Sequence, residues 1–170
     1  MKTSRSTVLV LLGAFILQVM LAPHLAIFGI VPSFPLLVVI TLAFFRGPTV
    51  GARAGFVSGI LLDLLGTGPV GAWALILTVG GYVAGLIQEN VFAEGWLAPA
   101  TITVVTALAA DASYLLILTI LGVGPAFWES LLTVVMPRAV YNVVLLMLAY
   151  PWLARWLRSD RAMKSLGRLA

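Results

Sequence analysis

Four residues able to do chemistry, Asp63, Asp111, Arg138 and Asn142, each interrupt a long run of aliphatic and aromatic side chains. If those runs cross a bilayer, a charge at mid-depth costs roughly 2.5–3.5 kcal/mol, so ionisable groups there face a bundle interior or a wet cavity. Asp63 precedes "GTGPVG", a turn of three glycines and a proline whose backbone N–H groups can satisfy the carboxylate locally. Two other roles stay open for it: the polar floor of a small pocket, or a hydrogen-bond partner for an incoming helix. Asp111 and Arg138 carry opposite charges and suggest a buried ion pair, with Asn142 one helical turn beyond the arginine. Pro137, just before Arg138, removes a backbone donor and is expected to kink its helix.

Other chemistries find little to work with. No Ser, His and Asp arrangement suits nucleophilic catalysis, and no Gly-Lys loop could cradle a phosphate. One histidine, His24, and no cysteine make neither a typical zinc site nor a disulfide framework. The expectation is a protein that is not an enzyme and holds no metal or cofactor.

The elements that must position these residues follow from composition. With 62% hydrophobic and 9% charged residues among 170, the chain lacks the polar surface to wrap a water-soluble core. Apolar runs approach the ~20 residues that a helix needs to cross hydrocarbon. The alternating ~10-residue segments of a β-barrel are not seen. An all-α, polytopic membrane helical bundle is therefore expected, with six transmembrane helices near Thr7–Leu25, Phe34–Phe45, Val50–Leu65, Val70–Ile87, Leu97–Leu121 and Phe127–Leu153. Phe34–Phe45 is short and flanked by Pro32, Pro35 and Pro48, so a tilted or re-entrant piece and a five-span count form the alternative. Lys2 and Arg5 precede the first run as in a signal peptide, but no small-x-small cleavage site follows, and an uncleaved first helix is expected.

Charge distribution tests the count separately. A cytoplasmic N-terminus with six spans places Lys2, Arg5, Arg46, Arg53, Arg155, Arg158, Arg161, Lys164 and Arg168 inside, nine of the ten Lys and Arg residues. Both termini are thus expected in the cytoplasm. The chain divides into a membrane domain, 1–153, and a basic tail, 154–170. In the tail Arg155, Arg158, Arg161, Lys164 and Arg168 recur every three or four residues among Trp156, Leu157, Met163, Leu166 and Leu169, the pattern of an amphipathic helix lying on the inner leaflet. Membrane lipid is its expected partner, a cytoplasmic protein the alternative, and nucleic acid is not expected. Glu89 and Glu94 are assigned to a solvated cytoplasmic loop after the fourth span, and His24 to an interface.

Depth can then be read from residue counts. Asp111 lies about ten residues before the outer end of the fifth span, and Arg138 about eleven after the outer start of the sixth. At ~1.5 Å per residue the two antiparallel helices bring them to one level. Reversing one charge should disrupt the bundle, and reversing both should restore it. A proton or ion relay is the functional alternative, although one chain of this length shows no inverted repeat.

Gly51, Gly55 and Gly59 stand four apart, and Gly81 and Gly85 repeat the spacing one span later. Such faces let helices approach backbone to backbone, either within the bundle or against a helix of another protein.

The stretch "GFVSGILLDLLGTGPVGAWAL" followed by "GYVAG", with Gly55, Gly59, Asp63, Gly71, Gly81, Tyr82 and Gly85 as its motif positions, resembles the rod shape-determining protein MreD family of bacterial inner-membrane proteins. That resemblance implies a non-enzymatic scaffold of the cell-elongation machinery, in which the partners are MreC, RodA, penicillin-binding protein 2 and MreB. The six-helix layout is also similar to the substrate-binding S components of energy-coupling-factor vitamin transporters. On that alternative Trp73, Trp96, Asp63 and Asp111 would line an outward pocket.

Overall fold

A computed structural model of the chain describes residues 5–26, 29–90 and 97–148. The described chain contains six helices: α1 Arg5–Met20, α2 Phe34–Arg46, α3 Pro48–Leu65, α4 Ala72–Asn90, α5 Leu97–Ile120 and α6 Phe127–Leu148. The last four are long and apolar enough to cross a membrane, whereas α1 and α2 are shorter.

Proline and glycine set the boundaries. Pro23 ends the first run early: α1 stops at Met20, and a 3-10 turn covers Ala22–Leu25. Gly47, with φ +87°, turns the chain between α2 and α3, and Pro48 takes the first helical position, where its missing N–H costs nothing. Gly71 has φ +98°, which holds Val70 in the turn and delays α4 until Ala72, two residues later than hydropathy indicated.

The helix that looked doubtful as a span is the centre of the bundle. From Pro35 through Ala43 every residue of α2 is buried, and so is Phe45. A helix apolar on all sides has no face to give to water. Leu36, Ile40 and Ala43 meet Ile76, Leu77, Ile102, Ala107 and Ala110 of α4 and α5. Its other side, Val38, Val39, Leu42 and Phe45, meets Ala14 of α1 and Ala54 of α3. Thirteen residues rise only ~20 Å, less than the ~30 Å thickness of a bilayer's hydrocarbon.

Helix α6 carries one turn of π-helix, Leu131–Val135, directly before Pro137. A proline ring collides with the carbonyl four residues earlier, here Thr133, and a wider turn relieves the collision. A π-turn thus stands beside Pro137, where the sequence predicts a kink. Large apolar side chains such as Leu9, Leu64, Leu75, Val105, Leu132 and Val140 point outward, as a lipid-facing surface requires.

Candidate functional site

The glycines of α3 and α4 close on each other. A side chain at Gly51 would run into Gly81, one at Gly55 into the Leu77 backbone, one at Gly59 into Trp73 and Ala74, and one at Gly85 into Pro48. Two backbones therefore run in contact along the full hairpin. Of the two uses expected for this face, docking a foreign helix is corrected: α4 already fills it from within the chain.

Asp63 ties off one end of that hairpin. Its Oδ2 accepts from the Gly71 N–H at 2.9 Å and the Ala74 N–H at 3.0 Å, and its Oδ1 from the Trp73 N–H at 3.0 Å. These are the free N–H groups and positive dipole end of α4, so the carboxylate acts as its cap across the turn. The side chain is 5% exposed and its oxygens point at this backbone. Beside the turn, Trp73 stacks on Tyr114 of α5 with ring centroids 4.4 Å apart, and the Tyr114 hydroxyl lies against Gly68. Alanine at position 63 would strand three backbone donors. At about 1–2 kcal/mol for a lost cap, Asp63→Ala should unfold at a lower temperature in detergent, while Asp63→Asn retains an acceptor and loses less. Equal melting of wild type and Asp63→Ala would contradict the capping role.

A second cluster joins α1, α5 and α6 to the irregular segment between α1 and α2. Arg138 Nη1 stands 3.2 Å from Asp111 Oδ1, the pairing suggested by their depth. The same guanidinium donates through Nε to the Val31 carbonyl at 3.0 Å. Asn142 is fully buried and its Oδ1 accepts from the Ser33 N–H at 3.0 Å. Tyr141 donates to the Leu25 carbonyl at 2.7 Å. Gln18 of α1 donates to the Pro32 carbonyl at 3.2 Å and accepts from the Phe34 N–H at 2.9 Å. Non-helical backbone inside a membrane bundle must find hydrogen bonds in protein, and these side chains supply them.

Gln18 and Tyr141 had been passed over in the sequence. Gln18 is a lone amide in the first apolar run, as anomalous there as Asn142 is in the last, and Tyr141 adjoins Asn142. At the opposite end of the bundle Arg46 donates to Thr7. Glu89 belongs to the last turn of α4 rather than to a loop, because the helix continues to Asn90, and its carboxylate lies beside Gly47. The basic tail with Arg155, Arg158, Arg161, Lys164 and Arg168, together with Glu94 and Trp96, lies outside the described residues.

A groove of about 370 Å³ runs between α4 and α5, lined by Val79, Gly80, Val83, Val105, Ala109 and Ser113 among others. Its walls are mostly apolar, with Thr106 and Ser113 among them, and Asp63, Asp111 and Trp73 are not part of the lining. The polar pocket drawn from those residues is thus not formed by this groove: Asp63 is held by the turn and Asp111 by Arg138.

The family model for rod shape-determining protein MreD matches residues 3–159. No curated protein and no solved structure matches the chain.

Proposed function

Since the chain belongs to the rod shape-determining protein MreD family, whose role is in rod shape determination, we propose that it acts as a non-enzymatic membrane scaffold of the bacterial elongation machinery. In this reading it binds MreC in the inner membrane, works in a larger complex with RodA, penicillin-binding protein 2 and MreB, and so helps to organise side-wall peptidoglycan synthesis.

The observation that carries the reading is where the polar groups are spent. Asp63 caps α4 and Arg138 joins Asp111 to the α1–α2 segment, both tying the bundle together. A bundle so tied presents a fixed apolar exterior, which suits a protein that works by lateral contact with other membrane helices.

Six crossings with both termini in the cytoplasm complete the proposal. Arg46 and Arg53 then lie at the inner side with the basic tail, and the Asp63 turn at the outer side. The α1 and α2 helices serve as crossings despite their length, and α2, buried from Pro35 through Ala43, needs no lipid match of its own there.

Gentle detergent extraction of an affinity-tagged copy from its own cells, followed by mass spectrometry, tests the reading. MreC should co-purify together with wall-synthesis proteins. Recovery of paired ATPases with a second transport subunit would replace the scaffold by a vitamin-binding component.

A further inference from the structure

Two atoms of the α5–α6 cluster are buried without a hydrogen-bond partner among the described residues: Asp111 Oδ2 and Asn142 Nδ2. Both residues are buried, Asp111 at 6% exposed and Asn142 at 0%. The large majority of buried polar side-chain atoms in folded proteins have a hydrogen-bond partner, and two orphans in one cluster call for a shared cause.

Their chemistry is complementary. Asp111 spends Oδ1 on Arg138, which leaves Oδ2 as an acceptor. The Ser33 N–H fixes the Asn142 amide, since only its oxygen can accept, and leaves Nδ2 as a donor. Arg138 and Asn142 stand four apart on α6, so their Cβ atoms share one helix face about 5–6 Å apart. Both side chains bond the segment before α2, at Val31 and Ser33, and the carboxylate paired with Arg138 belongs to the same cluster as the Asn142 amide.

We propose that Asp111 Oδ2 and Asn142 Nδ2 are two walls of a buried site for one neutral hydroxyl ligand, which donates to the carboxylate and accepts from the amide. A hydroxyl combines donor and acceptor in one atom, so a single group answers both orphans. Arg138 already balances the charge of Asp111, which favours a neutral ligand over a cation. Water and the hydroxyl of a lipid headgroup share this chemistry, and water is the smaller and commoner occupant of buried polar sites. Bound there, the hydroxyl links the α5–α6 ion pair to the Asn142 amide that holds Ser33, where α2 begins.

The chain has two asparagines, Asn90 and Asn142, so labelling with 15N-asparagine yields two side-chain amide signals, and Asn90→Gln assigns them. In nanodiscs of phosphatidylglycerol with deuterated acyl chains, magnetisation transfer should connect the Asn142 amide protons to a hydroxyl. A cross-peak at the water frequency identifies water, and one at headgroup glycerol frequencies identifies lipid; either supports the site. Absence of both would overturn it. In the Asp111→Ala variant, which leaves no acceptor at this position and adds no amide signal, the cross-peak should lose most of its intensity. An unchanged cross-peak would place the hydroxyl on Asn142 alone and overturn the shared site.

Discussion

Leucine at position 55 breaks the α3–α4 hairpin. Purified Gly55→Leu protein is expected to lose more than ~3 kcal/mol, beyond the usual ~1–3 kcal/mol of overpacking. The excess has a physical source. Overpacked cores ordinarily relax by moving side chains, but a Cβ on Gly55 meets the Leu77 carbonyl group and the Thr78 backbone nitrogen, which are part of α4 itself. Separating the backbones would also pull Gly51 from Gly81 and Gly59 from Ala74 along the same seam. Gly13→Leu is the control, since nothing lies within 4 Å of a Cβ there, and Gly80→Ala is a graded one, where a Cβ would meet only Thr106 Cγ2 at 3.2 Å. Thermal unfolding and size-exclusion profiles in detergent rank the three. A Gly55→Leu protein that melts with the Gly13→Leu control would show that the seam is not closed as described.

Arg138→Leu is the second large effect, because it leaves a carboxylate buried without its counter-charge and the Val31 carbonyl without its donor. Breaking one side of a buried pair costs about 3–5 kcal/mol, whereas replacing both members with apolar groups of similar volume is often near neutral. Asp111→Leu alone should likewise destabilise, by less, since Arg138 is partly exposed at 27% and keeps Val31. The double variant Asp111→Leu/Arg138→Leu should recover most of the loss, short of the bond to Val31. Exchange of the two charges should recover less than the apolar pair, because an aspartate at 138 sets a charged acceptor near the Val31 carbonyl, where leucine brings no charge. A thermodynamic cycle over these variants measures the coupling directly. Strict additivity would remove the pair from the account of how α5, α6 and the α1–α2 segment are joined.

How far the site was legible varies residue by residue, and the reason is distance along the chain. Asp63 was readable because its partners begin eight residues later, in a turn whose glycines and proline announce exposed N–H groups. Asp111 and Arg138 could be paired because one short loop joins antiparallel helices, so counting residues from it compares depths. The bond from Ser33 to Asn142 spans 109 positions, and no local pattern marks its two ends as neighbours. Gln18 was missed for the same reason: its targets, Pro32 and Phe34, lie in a segment with no periodicity to reveal that it turns inward. The glycine spacing announced a close approach but not the partner, since four-residue spacing describes one face and is silent about what lies against it.

By itself the amino-acid sequence determined the solvent, the helical class, the places where helices stop and the cost attached to each intramembrane charge. All of these depend on composition or on neighbours within a few turns, where proline, glycine and hydropathy act directly. Only the tertiary structure decided that the shortest helix is the core, that the glycine seam is closed within the chain, and that α1, α5 and α6 together hold the irregular segment before α2. Those outcomes depend on which faces meet, and a helix apolar on every side offers the same pattern to lipid as to protein.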